Sequence, residues 1–334
     1  MPTDELTFEN AEFSNLIRFI AGLSAWARYT GGQVSDAERY QQAARRASTA
    51  RRYAQAIEHF EGEWGGLLPA SSVSVVDYLA AYGARLSAST LRTHLAALAQ
   101  WHQQRGFADP TKAAQVRDTL RGIQALHPQP VKQAPALQLK VLETSIEGLS
   151  ADVHSALPAL RLRAARDQAL ILLGFWRAFR GDELCRLQAD HVRIEADEGM
   201  QLFLPSSKTD RDNRGRILTM PALKRLCPVQ ATEQWLTLSG IARGPLFRGI
   251  DRWGHLSEQP LNANSVSRLL RRALLRSGIE AEGYSAHSLR RGFATWASRN
   301  RWSSEALMAY VGWRDVQSAA RYIESNAPFG EWVR

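Results

Sequence analysis

Five side chains in the second half of the sequence could together carry out chemistry on a phosphate group. His287 and Arg290 are three residues apart, so on a helix they share one face and can contact the same anion. Tyr322 follows on a stretch that predicts another short helix. A phenol near two cationic donors is typical of a nucleophile that attacks a phosphate. Two cationic residues upstream, Arg180 and Lys208, would complete such a site.

The overall composition favours a polyanionic partner. The 334 residues include 42 Lys and Arg against 33 Asp and Glu, a formal net charge of +9. This balance favours nucleic acid. The two cysteines form neither a disulfide framework nor a zinc motif. No apolar run reaches the roughly 18 residues of a membrane span, and the acidic N-terminus is unlike a signal peptide. The sequence therefore predicts a cytoplasmic protein, associated with a bacterial-type nucleoid and not with a membrane.

The apolar spacing predicts a mainly α-helical protein with two domains. Residues 1–35 are interpreted as an N-terminal helical extension, and residues 36–126 as a small all-helical domain with a basic side. Three prolines within residues 127–135 predict a semi-rigid linker. Residues 136–334 then form the second domain, with a short C-terminal tail. The candidate phosphate site belongs wholly to this second domain.

The site residues follow recognisable elements of the second domain. An apolar stretch over 160–179 predicts a buried central helix, with Arg180 at its end. A cation in that position needs an anionic partner, which is either Glu183 or a DNA phosphate. Residues 200–204 and 216–220 predict a small antiparallel hairpin, with the lysine of the site near its turn. The pattern predicts no other hairpin.

Three groups of side chains are candidates for contacts with DNA. An arginine cluster flanks a helix N-terminus, where free backbone N–H groups also attract phosphates; a solvated charged face is the alternative. A helix over 91–105 and a helix capped at 262–265 present polar side chains opposite their apolar faces. The candidates are Arg46, Arg51, Arg52, Arg92, Thr93, Arg268, Arg271 and Arg272.

Taken in order, these residues resemble the tyrosine recombinase (phage integrase) family. The motifs that carry the resemblance are Arg-Gly-Asp-Glu-Leu at 180–184, His-Ser-Leu-Arg at 287–290, Gly-Trp at 312–313 and Ala-Arg-Tyr-Ile at 320–323. The resemblance covers roughly residues 40–330. Trp313, where other members carry histidine, makes the chain most similar to the Cre-like branch.

The resemblance implies a two-domain clamp on DNA that cuts and rejoins strands. Tyr322 would attack a scissile phosphate, which gives a 3′-phosphotyrosyl link and a free 5′-hydroxyl. Arg180 and Arg290 would bind the non-bridging oxygens. Lys208 would protonate the departing 5′-oxygen. Because the phosphotyrosine keeps the energy of the cut bond, neither ATP nor a metal or other cofactor is required.

The resemblance also implies supporting residues and an assembly. His287 would assist proton transfer, Trp313 would donate its indole N–H to the phosphate, and Glu183 would support an arginine or the histidine. Four protomers would exchange strands through a Holliday junction at two double-stranded sites. We expect the tail with Phe329 and Trp332 to dock into the next protomer of this homotetramer.

Two other functions use the same residues. A type IB topoisomerase would relax DNA with the same chemistry, and a catalytically silent factor would only bind DNA. For Tyr322 the alternative is a packed tyrosine with a satisfied hydroxyl, and Tyr310 and Tyr284 compete as nucleophiles. The set of catalytic residue types argues against the silent factor. The separate basic helical domain and the C-terminal tail favour a recombinase, which integrates, excises or resolves a mobile element, over a topoisomerase. The target sequence and any accessory proteins do not follow from the residues.

Overall fold

The computed structural model describes residues 47–129, 133–195, 198–205 and 215–313, together with residues 40, 316, 319 and 320. Chain contacts divide the protein into two compact units, Met1–Val131 and Lys132–Arg334. The division falls inside the proline-rich segment 127–135. The roles of residues 1–35, 36–126, 127–135 and 136–334 as extension, basic helical domain, linker and second domain stay predictions. Within the described ranges, no helix is both long and apolar enough to span a membrane.

The described part of the first unit is helical. Its elements are α1 (Ala47–Glu58), a π-helical turn (His59–Glu63), α2 (Ser72–Tyr82), α3 (Ala88–Gln104), a 3-10 turn (Pro110–Lys112) and α4 (Ala114–Leu126). Ser87 caps α3, because its hydroxyl accepts the backbone N–H of Thr90 at 3.1 Å. Phe60, Tyr78 and Leu98 are fully buried among these helices. The first unit therefore has a hydrophobic core of its own.

The second unit surrounds one apolar helix. Its described helices are α5 (Leu139–Val153), α6 (Pro158–Trp176), α7 (Gly181–Arg186), α8 (Pro228–Ser239), α9 (Ala263–Arg276), α10 (Ala286–Arg299) and α11 (Ser304–Val311). The stretch from Ala169 to Phe175 in α6 is buried throughout. This burial agrees with the central helix that the apolar run predicts. The mainly α fold is thereby confirmed.

The C-terminal end of α6 differs from the prediction. The helix ends at Trp176 rather than at residue 179, and Ala178 has a φ of 52°. A non-glycine residue with this φ cannot continue a right-handed helix. Arg180 therefore lies in a connection and immediately precedes α7, instead of ending α6.

The predicted hairpin is present, but it belongs to a larger sheet. Strands β1 (Val192–Glu195), β2 (Gly199–Leu204) and β3 (Arg216–Pro221) form an antiparallel sheet in the order β1-β2-β3. A second antiparallel pair, β4 (Arg248–Ile250) and β5 (Leu256–Pro260), is also present, although the sequence pattern predicted no other hairpin. Met200, Leu202 and Leu204 alternate toward the core, and this alternation made the β2–β3 hairpin recognisable.

Candidate active site

Arg180 and Glu183 bind each other at the start of α7. The Glu183 carboxylate accepts the backbone N–H of Arg180 at 2.9 Å and its Nη1 at 2.7 Å. The carboxylate side chain is 1% exposed, whereas that of the arginine is 24% exposed. One buried carboxylate thus fixes both the start of the helix and the position of an accessible guanidinium. It also places a negative charge at a helix N-terminus, where such a charge is favourable.

His287 lies in the first turn of α10. The hydroxyl of Ser285 caps this helix and accepts the backbone N–H of His287 at 3.3 Å. Part of the imidazole is open to solvent, yet desolvation by neighbouring protein atoms lowers its pKa. The positive charges of Arg290, Arg291 and Arg180 lower the pKa further. Both causes favour the uncharged imidazole, the form that can accept a proton.

Arg290 is buried and connects two segments of the site. It is 2% exposed. Its Nη1 donates to the carbonyl of Ala178 at 2.7 Å, and its Nη2 donates to the carbonyl of Val311 at 3.1 Å. Its guanidinium carbon lies 5.5 Å from the ring centroid of Trp313. The same side chain thus holds the connection before Arg180 and the end of α11.

Trp313 is placed by the way α11 ends. Gly312 has a φ of 74°, and the backbone N–H of Trp313 turns back to the carbonyl of Met308 at 3.0 Å. A left-handed glycine with such a returning bond is a common helix C-terminus. The indole packs against a small cluster of buried residues, which are Ala178, Phe293, Ala294, Ala297, Leu307 and Val311.

A close approach brings the beginnings of α7 and α10 together. A Cβ added to Gly181 would lie 3.0 Å from the Cβ of Ala286. A larger residue after Arg180 would therefore push α7 away from α10. This contact explains why a glycine follows the first arginine, and it keeps Arg180 close to His287.

Arg177 is a residue of this region that the sequence analysis missed. It is 8% exposed, and its Nη1 donates to the carbonyl of Tyr310 at 2.7 Å. Its guanidinium carbon also lies 3.9 Å from the ring centroid of Tyr310. The Tyr310 hydroxyl donates to the carbonyl of Trp176 at 2.9 Å. The sequence signal that could have identified Arg177 is its position inside the apolar stretch over 160–179.

The structure brings five of the predicted catalytic residues into one region. They are Arg180, Glu183, His287, Arg290 and Trp313. The other two catalytic candidates, Lys208 and Tyr322, lie outside the described residues, as do Arg46, Phe329 and Trp332. In the part of the chain that is described, no three His, Cys, Asp or Glu side chains are grouped so that they could hold a metal ion.

The described DNA-contact candidates of the first unit lie on α1 and α3. Arg51, Arg52 and Arg92 are exposed. The Thr93 hydroxyl donates to the carbonyl of Ser89 at 3.0 Å. A cleft of about 850 Å³ is lined by residues of both helices, including Arg52 and Thr93.

The arginines of α9 divide into two kinds. Val266, Leu269, Leu270 and Leu274 are buried, so the arginines occupy the opposite side. Arg268 is exposed and donates to the hydroxyl of Ser265 at 3.0 Å, and Arg271 donates to the carbonyl of Tyr284 at 2.6 Å. Arg272 instead pairs with the buried carboxylate of Asp167 at 3.4 Å. Arg276 pairs in the same way with Asp152.

Comparison with known proteins agrees with this geometry. Residues 149–328, more than half of the chain, match the phage integrase family. An integrase/recombinase xerD homolog from Selenomonas ruminantium is 29% identical over 267 residues, which cover 78% of this chain and 76% of the relative.

Solved structures share the fold at low identity. XerH site-specific recombinase bound to a palindromic difH substrate gives a TM-score of 0.56 at 17% identity, over 81% of this chain and 75% of that one. A lambda integrase dimer bound to a COC′ core site gives a TM-score of 0.54 at 16% identity, over 92% of this chain and 95% of that one. The chain therefore belongs to the phage integrase family of tyrosine site-specific recombinases, enzymes that cleave and rejoin DNA.

Proposed function

We propose that this protein recombines specific double-stranded DNA sites through a 3′-phosphotyrosyl intermediate. The observation that carries the proposal is that Arg180 and Arg290 both lie near His287, whose pKa their charges lower. The two arginines come from different segments, and protein contacts fix each of them. Two preorganised guanidinium groups suit a phosphate that gains negative charge in the transition state. The names of relatives that act on DNA sites support the same substrate.

The proposed reaction exchanges one phosphodiester for another. The Tyr322 oxygen forms a bond to phosphorus, and the bond from phosphorus to the 5′-oxygen of the next nucleotide breaks. Lys208 gives a proton to that departing oxygen. Arg180 and Arg290 hold the non-bridging oxygens throughout. Rejoining reverses these steps with a 5′-hydroxyl from a partner strand, so neither step consumes ATP.

The remaining residues of the site position and tune these groups. The lowered pKa of His287 favours its uncharged form, which would take the proton of the attacking phenol and return it during rejoining. Trp313 offers its indole N–H to the phosphate. Glu183 acts through Arg180, whose direction it fixes. We further infer a homotetramer on DNA, in the cytoplasm, with Phe329 and Trp332 docking between protomers.

A pair of plasmid assays tests this function. One plasmid carries two copies of the element's native flanking site, and a second supercoiled plasmid carries none. We expect recombinant products from the first and no relaxation of the second. Relaxation without recombination would favour a type IB topoisomerase. Tight binding without any strand cleavage would favour a silent DNA-binding factor.

A matched pair of α9 variants tests the predicted DNA contacts. In Arg268→Ala we expect weaker DNA binding, with the slope of log affinity against log salt reduced by about 1. The free energy of unfolding should change by less than about 0.5 kcal/mol. In Arg276→Ala the salt slope should stay unchanged. Loss of the ion pair with Asp152 should instead lower the free energy of unfolding by about 1 kcal/mol.

Salt titrations of DNA binding and urea unfolding measure the two quantities separately. An unchanged slope in Arg268→Ala would remove this arginine from the DNA interface.

A further inference from the structure

Arg216 connects the hairpin to the end of α11. It is the first residue of β3, where it pairs with Leu204, and the segment with Lys208 precedes it. Its guanidinium lies against Gly312, because a Cβ added there would be 2.8 Å from Nη1 and 3.1 Å from Nη2. Glycine at this position therefore provides both the left-handed turn and the space that the guanidinium occupies.

Gly312 is situated at the reaction centre. The residue before it, Val311, gives its carbonyl to Arg290 at 3.1 Å. The residue after it, Trp313, presents its ring to the same guanidinium at 5.5 Å. A side chain that rests on Gly312 therefore lies beside the group that is proposed to hold the scissile phosphate.

The side chain of Arg216 has unused donors in this position. Its Nε is buried and has no hydrogen-bond partner among the described residues, and the same holds for the Nε of Arg177. The charge of Arg216 is one of the causes that lower the pKa of Arg177, after burial, so the two cations lie close together. Two neighbouring guanidinium groups with free donors favour an anion between or beside them.

We propose that Arg216 is a third phosphate-binding arginine of the reaction centre, which contacts one phosphodiester of the cleaved DNA strand. Arg177, which is nine-tenths buried and donates to the carbonyl of Tyr310, keeps the end of α11 in place beneath it. Arg216 is only partly buried, and because its Nε is buried, the phosphate would contact the terminal amino groups of the guanidinium. This inference rests on the proposed function, since the ligand is the DNA strand that the enzyme cuts.

The test compares charged and neutral DNA. A suicide substrate carries either natural phosphates or a single uncharged methylphosphonate, at the scissile position or at one of its neighbours. We expect Arg216→Ala to form the covalent adduct roughly 100-fold more slowly on natural DNA, the effect of losing one preorganised donor. A methylphosphonate at one position should restore most of that rate, because the missing cation then has no charge to neutralise.

Every outcome separates the possibilities. If the unchanged protein forms no adduct, the proposed function fails and this inference fails with it. If it reacts and Arg216→Ala reacts equally fast, only this inference is overturned. A slow variant that no methylphosphonate rescues would reduce Arg216 to a structural residue. In Arg216→Gln, which keeps most of the stem without the charge, a methylphosphonate must restore adduct formation in the same way. This second variant gives a result even if the alanine variant folds poorly.

Discussion

Tyr322→Phe is expected to form no covalent adduct with DNA, whereas the unchanged protein forms one in the presence of EDTA. Phenylalanine retains the ring but lacks the oxygen that would bond to phosphorus. The substrate is a nicked suicide DNA from the native flanking sequence, and a denaturing gel reports the adduct. Because the proposed charge stabilisation comes from arginines, EDTA should leave the yield of the unchanged protein the same.

The matched control for this variant is Tyr310→Phe. The hydroxyl of Tyr310 donates to the carbonyl of Trp176, and desolvation raises its pKa, so it is a poor nucleophile. We expect this control to lose about 1 kcal/mol of stability and to form the adduct normally. An adduct that persists in Tyr322→Phe and disappears in Tyr310→Phe would move the nucleophile to α11.

Arg290→Ala should lower both catalysis and stability. At saturating DNA we expect adduct formation to slow by roughly 100- to 1,000-fold, since a preorganised donor to the phosphate is lost. The carbonyls of Ala178 and Val311 also lose their donor inside the protein. An unsatisfied buried group costs about 1–3 kcal/mol, so the urea midpoint should fall as well. Arg290→Lys should recover little activity, because an ammonium lacks the planar fork that reaches two carbonyls and a phosphate.

Arg299→Ala provides the comparison on the same helix. Its guanidinium is exposed and donates to the side chain of Gln138 at 3.0 Å. We expect normal adduct formation and a nearly unchanged urea midpoint. Equal rates in Arg299→Ala and Arg290→Ala would contradict a phosphate-binding role for Arg290.

Local patterns predicted most of the helices because caps and apolar spacing act within a few residues. The predicted helix over 91–105 corresponds to α3, which Ser87 caps, and Asn262 caps α9 within the predicted segment 262–265. Strand β1 (Val192–Glu195) was not predicted, because it has only four residues, in which apolar and charged side chains alternate, and so short a pattern is a weak signal. The end of α6 was misplaced because Ala178 takes a positive φ. That conformation is held by packing and by Arg290, and alanine itself gives no sign of it.

The order of residue types predicted the candidate site, but not what holds it together. Glu183 was expected to support either an arginine or His287, and it binds Arg180. Arg177 and Arg216 were missed because their meaning depends on contacts with Tyr310 and Gly312, far along the chain. Such contacts follow from the tertiary structure and have no local pattern.

The arginines of the proposed reaction centre would also lower the stability of the protein when no DNA is bound. They are Arg177, Arg180, Arg216 and Arg290, and the carboxylate described beside them is that of Glu183. Like charges held close together oppose folding, and a bound phosphate relieves that repulsion. A ligand that binds only the folded chain raises its stability. Substrate DNA would then act as a folding ligand, and recombinase molecules away from their sites would unfold and be degraded sooner than those engaged with them.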